Sequence, residues 1–233
     1  MRLDFALSNA GVGSRREIKI LISRGKISVN GKEARNPAQN VEQTDNVFVL
    51  GKRIDIQRYI YLMMNKPAGY VCTTAENEKN VFELVPEDFR RKDLFCVGRL
   101  DKDTTGLLLL TNDGDFSHNI ISPKKSCEKT YRVTLLHPVT DEDIYAFEEG
   151  LTLSNGEKTL PARLERTKDE KVVLVSLSEG KYHQVKRMFG ACHNRVMELC
   201  RIKIGDFILP DDLDCGMCQK LPIEKGESIE KNS

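Results

Sequence analysis

No stretch of this 233-residue chain approaches the ~18 consecutive apolar residues that mark a membrane span. The runs present, such as Leu107-Leu108-Leu109-Leu110, are only of strand length. The opening Met1-Arg2-Leu3-Asp4 lacks the apolar stretch of a secretory leader, so a protein that stays in the cytoplasm and off the membrane is expected. Charge of one sign is lacking too: the formal net charge is +1, which by itself says nothing about nucleic acid. Evenly paired cysteines are missing as well. The seven present are irregularly spaced, and without a leader they are expected to be reduced thiols. Cys215-Gly216-Met217-Cys218 has the spacing of half a redox or zinc site. It lacks a second C-x-x-C, and structural zinc needs four ligands, so no metal site is expected.

What is present is unevenly distributed. A hydrophobic content of 39% suits a globular protein with a proper core. Residues 1–57 carry ten Lys/Arg against six Asp/Glu, and residues 181–203 carry six cations and one acid, Glu198. Such local basic surfaces on a near-neutral chain have the form of a phosphate-tracking face. Leu3, Phe5-Ala6-Leu7 and Ala10 space out as one face of a short helix. Ser14-Arg15-Arg16-Glu17 fits a capping box opening a second helix, which carries Ile18, Leu21 and Ile22 inward and stops near Gly25. Residues 26–32 predict a strand entering an Asn30-Gly31 hairpin turn, and residues 47–50 another strand.

Gln57-Arg58 marks a junction between a unit over 1–57 and a larger one over 58–224. In the latter, strands are expected at 59–64, 94–97, 107–111, 130–136 and 171–177, and helices near 80–84, 117–121, 140–149 and 184–192. Isolated helices without regular βαβ alternation predict an α+β domain on a mostly antiparallel sheet. The charged end of the chain, 225–233, is expected to be a disordered tail.

The most informative segment is Gly98-Arg99-Leu100-Asp101-Lys102-Asp103-Thr104-Thr105-Gly106-Leu107. A carboxylate, Asp101, lies beside a cation, Arg99, and before a small hydroxylated run. The apolar strand that follows, closed by Asn112-Asp113-Gly114, anchors this loop. It resembles the catalytic motif of the pseudouridine synthases. Three further segments extend the resemblance in the right order: Asn65-Lys66-Pro67-Ala68-Gly69; Glu128-Lys129-Thr130-Tyr131; and Gly180-Lys181-Tyr182-His183-Gln184-Val185-Lys186-Arg187-Met188 with Leu199-Cys200-Arg201-Ile202-Lys203-Ile204-Gly205. Residues 1–50 resemble an S4 RNA-binding domain through "SRRE", "LI" and "VNG".

The resemblance implies isomerisation of uridine in RNA. The N1–C1′ bond breaks, the base turns, and it rejoins through C5. That needs no redox step, so no flavin, nicotinamide or metal cofactor is expected. Asp101 is implied as the reactive carboxylate, attacking C1′ or removing the 2′ proton, with Lys186 as its cationic partner and Tyr131 as the platform that stacks on the base. Arg99 is expected to bind a phosphate ahead of buttressing Asp101, with Thr105 and Arg187 as further RNA contacts and Leu199 as an apolar floor. For His183 a hydrogen-bonding structural role is expected ahead of acid–base work. Arg2, Arg15, Arg16, Lys19, Arg24 and Lys26 would form the cationic face of the S4 unit.

An S4 unit joined to this motif set resembles the ribosomal branch of the family, and the details favour its small-subunit members. The implied target is uridine 516 of 16S rRNA, free or in assembling particles, and a monomer is expected. The alternatives are the same reaction on 23S rRNA and a non-catalytic S4-type assembly factor.

Overall fold

The computed structural model describes residues 1–73, 78–91, 93–122 and 126–221; the expected tail at 225–233 lies outside them. The first compact unit takes in Met1–Ile60 together with Pro86–Phe95. Helices α1 (Leu3–Asn9) and α2 (Arg15–Ser23) pack Leu3, Leu7, Ile18 and Ile22 onto a small sheet. The Ser14–Glu17 capping box forms in both directions, satisfying two backbone donors that a helix start otherwise leaves orphaned. The sheet runs β2-β1-β3-β4 (β1 Ile27–Val29, β2 Lys32–Glu33, β3 Val47–Val49, β4 Lys52–Ile54). Asn30 and Gly31 both sit at positive φ in the first hairpin, as a two-residue turn with matching twist requires. The second hairpin turns through Leu50 and Gly51, also both at positive φ. The returning segment is tied back by Arg91 Nη1, which donates to Asn9 O at 2.5 Å.

In the second unit, β5 (Tyr61–Lys66), β6 (Phe95–Val97), β7 (Thr105–Thr111), β8 (Lys129–Leu135), β9 (Arg163–Arg166), β10 (Val172–Leu177), β11 (Val196–Ile204), β12 (Phe207–Ile208) and β13 (Cys218–Lys220) form one sheet. Its order is β13-β5-β7-β11-β8-β10-β9, with β12 on β11 and β6 on β7. Only β7 and β11 run parallel among the registered pairs; their neighbours are antiparallel, in line with the expected mostly antiparallel α+β architecture.

Residues 107–110 are fully buried. That leaves both faces of β7 covered, and it explains why its sequence is continuously apolar rather than alternating. Helix α3 (Gly114–Ile121) starts on Asp113, whose carboxylate accepts from the Asp115 and Phe116 amides. Helices α4 (Asp141–Glu149) and α5 (Gln184–Ala191) bring Phe147 and Phe189 to a core shared with Val133, Leu164, Val173 and Val175. Gly106 is obligatory where β7 meets β11. At φ +95°, any side chain there is strained, and its Cβ would overlap the Arg201 backbone. The expected helix at 80–84 forms as a single 3-10 turn, Val81–Leu84.

Candidate active site

Asp101 stands on the loop between β6 and β7, and that loop is built around a buried cation. Lys66, at the end of β5, is wholly buried. Its ammonium donates to the carbonyls of Thr104 at 2.8 Å, Asp101 at 3.0 Å, Pro67 at 3.1 Å and Lys102 at 3.3 Å. Burial pushes its pKa down, opposed by Cys72, Asp103, Asp101 and Cys96 nearby. Two amides complete the clasp: Gly69 N donates to Lys102 O, and Leu100 N to the Cys72 sulfur. The loop backbone is thus held from beneath, while the Asp101 side chain stays about a third exposed.

Across from it, α5 presents its first turn. His183, its N-cap, and Lys186, three residues on, share the side facing the carboxylate. His183 Nε2 lies 3.4 Å from Asp101 Oδ1, and Lys186 Nζ lies 3.8 Å from Oδ2. The tighter partner of Lys186 is Asp103, at 2.6 Å. This bond from Lys186 holds the Asp103 carboxyl below the usual carboxylate range, outweighing its partial burial. The ammonium is therefore shared between two carboxylates, closer to the one that sequence reasoning passed over. A compact point charge permits this, where a guanidinium fork would lock onto one of them.

Tyr131, on β8, lines the same cleft with Asp101, Arg99, Leu100, Thr104, His183 and Leu199. It pairs with Arg201 of β11 next to a β-bulge, a feature that re-aims side chains beside active sites. Leu199 is buried in the wall, and Arg99 is exposed at the edge with no ion pair among the described residues.

Two expected RNA contacts have other partners. Thr105 donates to Leu199 O at 3.3 Å, tying β7 to β11; Thr104 reaches the cleft instead, its buried hydroxyl without a hydrogen bond. Arg187 is taken up by Asn155 Oδ1 at 2.6 Å and Glu157 Oε2 at 3.1 Å. The sequence signal for Thr104 was present, since it sits beside Thr105 in the same motif.

In the first unit, Arg2 and Arg15 both bond the fully buried carboxylate of Asp4, Arg15 Nη2 at 2.9 Å and Arg2 Nη2 at 3.0 Å. Burial raises the Asp4 carboxyl, but the two guanidinium groups more than reverse this and hold it below the usual range. Arg16, Lys19, Arg24 and Lys26 are exposed and have no ion pair among the described residues. A hollow lined by Gly25, Lys26, Ser28, Phe48, Leu50 and Gly51 lies in this unit, with Lys26 as its one ionisable residue. No group of side chains with metal-ligand chemistry occurs among the described residues, whose cysteines are all free thiols. No helix among them is long and apolar enough to cross a membrane.

Comparison with known proteins converges on one family. The RNA pseudouridylate synthase model matches residues 60–191 and the S4 domain model residues 1–47. The chain is 41% identical to a protein of Bacillus subtilis named uncharacterized RNA pseudouridine synthase YtzG, over 97% of this chain and 96% of that one. It is 42% identical to ribosomal small subunit pseudouridine synthase A of Escherichia coli, over 98% of this chain and all of the relative. A crystal structure titled pseudouridylate synthase, 39% identical, superposes with a TM-score of 0.66 over 95% of this chain and 96% of that one. An aspartate on a lysine-anchored loop with a tyrosine in the same cleft, a lysine 3.8 Å from that aspartate, and full-length matches of this kind together place the chain in the RNA pseudouridylate synthase family, with an S4 domain at its N-terminal end.

Proposed function

We propose that this enzyme isomerises a uridine of small-subunit ribosomal RNA, uridine 516 of 16S rRNA, with Asp101 as the reactive carboxylate. The observation that carries the reading is the setting of Asp101. Its backbone is fixed by Lys66 and its side chain is about a third exposed at a cleft. Two nitrogen groups lie close enough to stabilise negative charge, yet too far to cap either oxygen with a short bond. Such a carboxylate can approach the ribose of a nucleotide turned out of its stack, and Tyr131 offers the flipped base an aromatic face. Whether attack at C1′ or removal of the 2′ proton begins the reaction, the same oxygen must meet the ribose. The Escherichia coli relative's name, matched across its whole length, supports the small-subunit target.

Rejoining the base through C5 expels the C5 hydrogen, so RNA labelled with tritium at uridine C5 reports turnover as released tritium. One equivalent released per 16S transcript and none per 23S transcript is expected. Release from 23S alone would reassign the substrate, and release from neither would leave only an S4-type binding protein.

The S4 unit is proposed to grip RNA phosphates through Arg16, Lys19, Arg24 and Lys26. Arg16→Glu with Lys19→Glu, on one helix face by spacing, is expected to weaken RNA binding about tenfold. The slope of log affinity against log salt should flatten by roughly 1 to 2 for single-stranded contacts. Because neither residue holds an ion pair among the described residues, thermal stability should be unchanged. A filter-binding salt titration with wild-type slope would remove this face from the interface.

A further inference from the structure

The edge of the cleft carries an aromatic side chain that isomerisation does not call for. Tyr182 is 75% exposed, yet its ring is not loose. It stacks on the ring of His183, with centroids 3.8 Å apart and planes within 19°. The Tyr182 carbonyl accepts from Arg187 Nη1 at 3.2 Å, and that guanidinium is itself fixed by Asn155 and Glu157. His183 occupies the left-handed backbone region, at φ 48° and ψ 35°, a conformation uncommon outside glycine that histidine adopts more readily than most side chains. This turn aims Nε2 at Asp101, 3.4 Å from its Oδ1. A short column therefore runs from the reactive carboxylate through imidazole to phenol, covered at its inner end and open to solvent at its outer face. Nothing in the fold is served by leaving that face in water, since an exposed ring buries no apolar area.

We propose that the open face of Tyr182 is a subsite for a nucleobase of the RNA, the base adjacent to the target uridine. Turning a uridine out of its stack strips its neighbour of a stacking partner. A rigid ring two layers from Asp101 replaces that partner while the uridine occupies the cleft. The subsite selects for a stackable base and an unpaired strand rather than for base identity, because every base has a π-face. This inference rests on the RNA-isomerising reading above.

Its test pairs steady-state tritium release from 16S transcripts with fluorescence of a 16S fragment carrying 2-aminopurine next to the target, on either side in turn. Tyr182→Ala is expected to raise KM about tenfold, with the change in kcat at most about twofold. Tyr182→Phe, which keeps the ring, should restore the wild-type KM. At one flanking position, wild type and Tyr182→Phe should quench the probe, and Tyr182→Ala should not. A merely structural Tyr182, propping His183 against Asp101, would instead lower kcat and leave KM and quenching untouched, which overturns the proposal. So would a Tyr182→Ala enzyme indistinguishable from wild type in both readouts. If wild type released no tritium, the functional reading would fail instead, and the quenching comparison would still decide the stack.

Discussion

Asp101→Asn is expected to reduce pseudouridine formation by roughly 10³-fold or more, the scale of losing a nucleophile or general base. RNA affinity should stay within about twofold, because the S4 face and the cleft edge are unchanged. Stability should also survive. The pairs that Asp101 makes with His183 and Lys186 are long, at 3.4 and 3.8 Å, and partly solvated, and such pairs contribute about 0–1 kcal/mol. Asparagine matches aspartate in shape, and the Lys66 clasp grips the backbone carbonyl of residue 101 rather than its side chain. The variant therefore separates chemistry from architecture. Single-turnover assays beside filter binding and calorimetry will show it; loss of folding or of RNA binding would make Asp101 a structural residue.

Lys66→Met should have the opposite profile, a structural loss that carries activity down with it. Methionine fills most of the same buried volume but offers no donor. The carbonyls of Pro67 and Thr104 then lose the ammonium, while those of Asp101 and Lys102 keep one amide each, from Thr104 and Gly69. Unsatisfied buried carbonyls cost about 1–3 kcal/mol apiece. Part of that is offset because the variant no longer buries a charge, the burden that already lowers the Lys66 pKa. A net loss of about 2–4 kcal/mol follows, roughly 5–15 °C in melting temperature for a chain of this size. At temperatures where the variant is still folded, kcat should fall more than RNA affinity, since the released loop is the one that places Asp101. A Lys66→Met protein with wild-type melting temperature and kcat would show that the clasp does not position the loop.

The segments legible in the sequence were those where local chemistry decides the structure. The Ser14–Glu17 capping box, the Asn30-Gly31 turn and the apolar run at 107–110 each carry their own signal, and each forms as expected. Strand β11 was harder. It lies between β7 and β8 in the sheet, yet Glu198, Arg201 and Lys203 interrupt its apolar pattern. Arg201 is nonetheless buried, donating to Leu107 O at 2.8 Å. Strands β4, β9, β12 and β13 are two to four residues long, too short for a periodicity to show.

Within the site, Tyr131 lines the cleft with Asp101, and Lys186 Nζ stands 3.8 Å from the Asp101 carboxylate. The part of Lys66 was hidden because a lysine before Pro67 and Gly69 has the composition of an exposed turn. Only the loop folding back over it, 35 residues later for Asp101, makes it a buried anchor. Likewise the division of Lys186 between Asp101 and Asp103 is a matter of ångströms, which spacing along a chain does not encode.

Asp101 is proposed to drive the isomerisation of one uridine of small-subunit rRNA. The most direct measurement is carbodiimide primer-extension mapping of unmodified 16S rRNA, free and in assembling particles, after incubation with wild type or Asp101→Asn. A single new stop marking uridine 516 is expected with wild type, and none with the variant. A stop of equal strength from Asp101→Asn, or no stop from wild type on RNA that it binds, would contradict it.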